Sequence, residues 1–188
     1  FERLTFAEAG TDLANKAGVE VRHEGKSNQR KPDQEAGLNA LQLASNFYQQ
    51  QLQSLTGQNV RAYLDQRYVP TKWQERFQLG FAPDDWQRLH QHLLGQKIPA
   101  QIQEQCGLVK MAEQQERRYD RFRNRLIFPI RDARGRCIGF GGRVIRSEDQ
   151  PKYLNSPETP YYRKSQVLYG LYEGLETIRQ SRELIFVE

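Results

Sequence analysis

Cysteine and histidine are scarce in this chain of 188 residues: Cys106 and Cys137, with His23, His90 and His92, are the whole supply. No Cys-x-x-Cys pair or Cys/His doublet occurs, which argues against a zinc site built from this stretch. The two cysteines read as small apolar fillers in a protein of a reducing compartment, where disulfides are rare. Long apolar runs are missing too. None nears the roughly 20 residues a membrane-spanning helix needs, and the opening Phe1-Glu2-Arg3-Leu4 shows no charged leader followed by an apolar stretch. The first residue is not methionine, and the last ones, Phe186-Val187-Glu188, fall inside a strand-like run, so the chain reads as a piece of something longer. Repeats are absent. The cluster Gly139, Gly141 and Gly142 lacks both a following Gly-Lys-Ser/Thr and the spacing of a dinucleotide loop, which argues against a phosphate loop of that kind.

What is present starts with charge. Hydrophobic residues are 37% of the chain, enough for a core, while a mean hydropathy of −0.85 says much of it is solvated. The net charge of +5 is modest, but its placement is not. Arg117, Arg118, Arg121, Arg123, Arg125, Arg131, Arg134, Arg136, Arg143 and Arg146 face only Asp120 and Asp132 in that window, a surplus of eight that exceeds the net charge of the whole chain. Every one is arginine, whose planar fork suits phosphate better than a lysine point charge. A charge run is ordinarily a solvated face. Here Tyr119, Phe122, Phe128 and Phe140 are interleaved with it on predicted strands. Alternation would place several arginines on one sheet face while the aromatics pack or stack on bases, which favours a nucleic-acid surface.

Periodicity separates a helical first half from a strand-rich second. Phe6, Ala9, Leu13 and Ala17 have helical spacing after a capping Thr5, and the polar stretch 23–34 reads as a long loop. Leu38, Leu41, Ala44 or Ser45, Tyr48, Leu52 and Leu55 recur three or four apart, one buried stripe of a helix over 35–55 that Gly57 ends. Shorter helices fit 60–67 and 71–77, Gly80 to Pro83 reads as a turn, and Asp84 or Asp85 is placed to cap a helix through Leu94 with Trp86, Leu89 and Leu93 inward. His90 and His92, two apart on a helix, cannot share a metal and read as packing or surface residues. Leu126 to Ile130, a glycine turn over Asp132 to Arg136, and Cys137 to Phe140 form a hairpin. Pro151, Pro157 and Pro160 fix an extended loop, followed by an amphipathic helix around Leu168 to Arg179 and a strand from Leu184 to Val187.

At Tyr119-Asp120-Arg121-Phe122-Arg123-Asn124-Arg125-Leu126-Ile127-Phe128-Pro129-Ile130-Arg131-Asp132 the chain resembles the bacterial replicative DNA primases of the DnaG type. The likeness continues, in the family's order and spacing, through Gly135 to Arg143, through Pro151-Lys152-Tyr153-Leu154-Asn155-Ser156-Pro157-Glu158-Thr159, to Lys164, and on through Leu168-Tyr169-Gly170-Leu171-Tyr172-Glu173. Fainter echoes lie in Asn46 to Gln50, Ala62-Tyr63-Leu64 and Phe77 to Pro83.

The resemblance implies an α+β fold: a helical N-terminal half packed on a small, mainly antiparallel sheet, ending in the first strand of a TOPRIM α/β subdomain. Residues 1–182 would be the N-terminal subdomain of the catalytic core, helical over 1–116 and basic, β-rich and closed by a helix over 117–182; residues 183–188 would begin TOPRIM. It implies synthesis of short RNA primers from ribonucleoside triphosphates on a single-stranded DNA template, in the cytoplasm at the replication fork. Glu188 would be the one acidic member present of a centre that uses magnesium or manganese, as metal ligand or in proton transfer; this stretch alone would then be inactive. Arg121, Arg123, Arg143, Lys152 and Lys164 would hold template and triphosphate, with Asn155 on sugar or phosphate. Tyr153 would either stack on a base or pack in the core. Zinc would belong to a separate N-terminal domain, the replicative helicase to a C-terminal one, and a monomer is expected, with no membrane partner. Two other classes fit parts of the pattern: a non-catalytic single-stranded-DNA-binding module, and another TOPRIM enzyme such as a phage primase-helicase.

Overall fold

The computed structural model describes residues 30–112, 117–146 and 148–185. The expected helix over Phe6 to Ala17 and the end of the chain at Glu188 lie outside the described residues.

The first helix, α1 (Arg30–Gln53), starts inside the stretch expected to be loop. Pro32 sits in its first turn, where a missing N–H costs nothing because that donor has no partner within the helix. Ala40, Leu41, Ala44, Phe47, Tyr48 and Leu52 form its buried stripe. Leu55, expected to belong to that stripe, is 90% exposed because the helix stops at Gln53 and a 3-10 turn, Leu55–Gly57, redirects the chain. Then come α2 (Gln58–Gln66), α3 (Thr71–Arg76), β1 (Gly80–Ala82), α4 (Arg88–Gly95), α5 (Ala100–Gln105), β2 (Val109–Met111), β3 (Arg118–Asp120), β4 (Arg125–Arg131), β5 (Cys137–Val144), β6 (Tyr153–Asn155), a 3-10 turn (Lys164–Gln166) and α6 (Leu171–Ser181).

The main sheet is antiparallel with order β1-β4-β5-β6, and β2 pairs with β3 in a separate ribbon. Two segments read as turn or loop, Gly80 to Ala82 and Tyr153 to Asn155, are its outer strands. Each is three residues long, too short for alternation to reveal. Pro129 is tolerated inside β4 because β1 pairs only as far as Ile127, so Pro129 has a strand neighbour on one side only.

Opposite faces of the sheet carry separate cores. Ile127 and Phe140 meet Leu41, Phe47, Tyr48, Leu89 and Phe122 on one face. Phe81 and Leu126 meet Leu52, Val60 and Leu64 on the other. Phe140 stands edge-on to Tyr48 at 5.5 Å and to Phe122 at 6.2 Å between ring centroids. Truncating a fully buried phenylalanine such as this one to alanine costs about 3–5 kcal/mol. Cys106 and Cys137 are buried and free, and burial pushes both thiols up to about 12, as fits apolar fillers. His90 is held by Gln103 at 2.8 Å and His92 stacks on Phe47 at 4.8 Å, so both are packing residues.

The helix that carries them is capped from elsewhere. α4 begins at Arg88, not at Asp84 or Asp85; Asp85 instead accepts the Gln87 N–H in a turn just before it. The first-turn N–H groups of Leu89 and His90 donate to the carboxylate of Asp120 at 2.7 and 2.9 Å. Trp86 therefore stays outside the helix and is 61% exposed, where an inward residue was expected. At the C-terminal end, residues 182–185 carry no regular secondary structure, and the expected strand continues into 186–188, outside the described residues.

Candidate nucleic-acid interface

Strand geometry sorts the ten arginines. Arg125 pairs with Val144 at the open end of the β4–β5 hairpin, whereas Arg131 lies next to the turn that holds Arg134 and Arg136. Six residues of strand separate the two ends, roughly 20 Å. A single cradle of ten guanidinium groups is therefore not what forms. Arg121, Arg123, Arg125, Arg143 and Arg146 gather at the open end, and Arg131, Arg134 and Arg136 sit at the other.

Their partners differ in kind. Arg131 bonds Glu173 at 2.7 Å with both side chains under a tenth exposed, Arg136 bonds Asp132 at 2.7 Å across the turn, and Arg118 pairs with Glu104. At the open end the partners are carbonyls and rings. Arg121 donates to the Asn155 carbonyl at 3.2 Å through Nε and 2.9 Å through Nη2. Arg125 donates to the Pro151 carbonyl at 2.8 Å. Arg123 donates to the Asp120 carbonyl and lies 4.1 Å from the Trp86 ring centroid. Arg143 lies 5.6 Å from the Tyr153 centroid, and Lys152 Nζ 5.7 Å from the same ring. Among the described residues none of these five is ion-paired to a carboxylate. Carbonyls and rings orient a cation without cancelling its charge.

Two hollows receive these groups. One, of about 360 Å³, is lined by Lys110, Arg121, Arg123, Arg125 and Arg146 against Asp84 and Asp149. The other, of about 330 Å³, is lined by Arg67, Arg143, Arg146 and Lys152 with Tyr63 and Gln150. Arg125 and Arg143 belong to adjacent cross-strand pairs, so their side chains leave opposite faces of the sheet. Arg146, two residues beyond β5, lines both hollows. Partial burial lowers the pKa of Arg121 and of Arg125, yet a guanidinium remains charged at any physiological pH.

The glycines of β5 make this arrangement possible. A Cβ on Gly142 would stand 2.9 Å from the Phe122 ring and 3.1 Å from Arg125 Cδ, and one on Gly141 would stand 3.2 Å from Asn155 Oδ1. Glycines in a strand suggest a bulge or the close approach of another backbone; here it is side chains that approach, and the one irregularity of the β4–β5 register lies elsewhere, at Ile130/Arg131. Asp120 ties the site to the core. Besides capping α4, its N–H donates to the Trp86 carbonyl at 2.7 Å. Burial outweighs the two N–H bonds that favour its charge, and its carboxyl is pushed up to about 6.

Of the residues singled out in the sequence, Arg121 and Arg123 line the first hollow and Arg143 and Lys152 the second. Tyr153 is 60% exposed on β6 and so is not a core residue; Asn155 is on the same strand. Lys164, in its 3-10 turn, lines neither hollow, and Glu188 lies outside the described residues. Sequence reasoning passed over Arg125 and Arg146, which were in the basic run, Trp86, which was read as an inward helix residue, Tyr63, which lay in one of the fainter echoes, and Arg67 and Lys110, which carried no local signal.

The fold and this site define a mixed helix-and-antiparallel-sheet domain with a rim in which basic side chains outnumber carboxylates. The family model described as DNA primase catalytic core, N-terminal domain matches residues 47–175, and the chain belongs to that family. It is 43% identical to a DNA primase of Pseudomonas putida over 100% of this chain and 29% of the relative's length. Among solved structures, a DnaG primase catalytic domain bound to ssDNA is similar with a TM-score of 0.72 and 41% identity, over 77% of this chain and 46% of that one. The RNA polymerase domain of Mycobacterium tuberculosis primase DnaG, in complex with a double-stranded DNA oligomer with a 6-nucleotide overhang, is similar with a TM-score of 0.73 and 34% identity, over 78% of this chain and 46% of that one. The chain thus spans under a third of that curated relative.

Proposed function

We propose that this chain is the template- and nucleotide-holding part of a DNA primase that joins ribonucleoside triphosphates into short RNA primers on single-stranded DNA. The observation that carries the reading is the partnering within the basic run: Arg118, Arg131 and Arg136, ion-paired to carboxylates, line neither hollow, while Arg121, Arg123, Arg125 and Arg143, which rest on carbonyls and rings, line them. Such a surface grips a phosphate backbone with little regard to base sequence and weakens as salt rises. In this reading Arg121, Arg123, Arg125 and Arg146 hold one run of phosphates, and Arg143 and Lys152 hold another across the hairpin end. Tyr153 and Trp86 offer exposed rings for stacking. Asn155 and Lys164 are proposed contacts further along β6 and the loop after it.

We also infer that residues 1–182 form one subdomain and that 183–188 lead into TOPRIM. A divalent metal ion, magnesium or manganese, belongs to the chemistry of the family. Among the described residues no group of three or more His, Cys, Asp or Glu side chains could hold one, so the described residues do not fit a metal centre. Glu188 remains the proposed acidic contributor. Zinc and helicase contacts are assigned to other parts of a longer protein. No helix of the described residues is long and apolar enough to cross a membrane.

The test is the salt dependence of single-stranded DNA binding, followed by anisotropy of a labelled oligonucleotide. Arg121→Ala and Lys152→Ala should each weaken binding and flatten the slope of log K against log salt by about 0.7. Arg136→Ala, which removes only the turn pair with Asp132, should leave that slope alone. Equal slopes in all three variants would sink the reading.

A further inference from the structure

Three cations and two tyrosines alternate in space beside the second hollow. Arg67 lies 5.4 Å from the centroid of Tyr63, Arg143 lies 5.5 Å from Tyr63 and 5.6 Å from Tyr153, and Lys152 Nζ lies 5.7 Å from Tyr153. Half of this row follows from register, since Arg143 is directly opposite Tyr153 across β5 and β6. Tyr63 comes from α2, remote in sequence, and is the ring shared by Arg67 and Arg143. It packs beside Leu52, Val60 and Leu64, and among the described residues its buried hydroxyl has no hydrogen-bond partner. A buried hydroxyl without a partner is a net cost that phenylalanine would not carry. What the position uses is therefore the face of the ring.

We propose that Tyr63 is a positioning residue for phosphate binding: its ring holds Arg67 and Arg143 at a fixed separation without neutralising either. A carboxylate there would also hold them, but would cancel charge that the ligand needs. An aromatic quadrupole attracts both cations and carries no net charge. The row Arg67, Arg143 and Lys152 is then ordered before phosphates arrive, which lowers the cost of fixing long side chains on binding. The phosphates are those of a single strand or of a nucleoside triphosphate. This inference rests on the reading above that Arg143 and Lys152 face such a ligand.

The experiment uses the full-length protein with a labelled oligothymidylate as one probe and inorganic tripolyphosphate as competitor. Tyr63→Leu, which keeps bulk and loses the ring, should weaken one or both about fivefold, the factor expected of a partly exposed cation–π contact. Loss with the oligonucleotide alone assigns the row to the strand, and loss with tripolyphosphate alone assigns it to the nucleotide. Tyr63→Phe should restore binding. In an Arg143→Ala background Tyr63→Leu should have a much smaller effect. Binding by Tyr63→Leu equal to wild type, while Arg143→Ala is weakened, overturns the proposal. So does a full additive loss in the Arg143→Ala background, which would make Tyr63 merely structural, or a Tyr63→Phe variant as weak as Tyr63→Leu. Wild-type binding by Arg143→Ala overturns instead the underlying assignment of the hollow to phosphate.

Discussion

Replacing Asp120 by asparagine should change how the stability of this domain responds to pH. Asp120 is 2% exposed, its two carboxylate oxygens accept N–H groups from the first turn of α4, and its carboxyl is raised from 3.8 to about 6 because burial outweighs those bonds. A carboxyl raised on folding binds protons more tightly in the folded state. Its contribution is therefore fully present below the unfolded pKa near 3.8 and is lost as pH rises through about 6. Each pKa unit is worth about 1.4 kcal/mol, so roughly 3 kcal/mol should disappear across that window. Asparagine does not titrate. The stability difference between wild type and Asp120→Asn, from urea unfolding followed by tryptophan emission, should thus shift against wild type by about 2.4 kcal/mol between pH 4, already just above the unfolded pKa, and pH 7.5. A difference that stays flat, or that grows in favour of wild type as pH rises, would refute the argument. It would mean that the two N–H bonds outweigh burial and that Asp120 is an ordinary low-pKa cap.

Two further outcomes follow from the geometry. Glu173→Ala strands the Arg131 guanidinium in a site where that side chain is 8% exposed, and should lower stability by about 3–5 kcal/mol in urea titrations without altering the salt slope of DNA binding. Gly142→Ala drives a methyl group into the Phe122 ring and Arg125, and should cost about 1–3 kcal/mol and weaken single-stranded DNA binding, because Arg125 must move.

The parts of the fold legible in the sequence were those with long periodicity. The stripe of α1 and the β4–β5 hairpin carry their own pattern over many residues, and both are present within a few residues of the expected bounds. The short helices α2 and α3 were legible as well, but the three-residue strands were not. β1 and β6 exist because they add to a sheet whose centre is already formed, and three residues show no alternation to read. The ribbon β2–β3 escaped notice for the same reason, and the helix α5 was missed too. The start of α4 was misplaced because its cap is supplied by Asp120, some thirty residues later in the chain, instead of by Asp84 or Asp85 next to it.

For the site, the sequence by itself determined the amount and kind of charge: ten arginines in one stretch, laid on strands and mixed with rings, together with the motif order of a primase core. It could not say which arginines would remain available. That was decided by tertiary structure, because neutralisation depends on what stands opposite in space. Glu173 and Glu104, distant in sequence, claim Arg131 and Arg118, whereas Tyr63 and the carbonyls of Pro151 and Asn155 orient Arg143, Arg125 and Arg121 and leave their charge intact. Charge is a property of a residue and travels with the sequence; its cancellation is a property of a pair and exists only once the chain has folded.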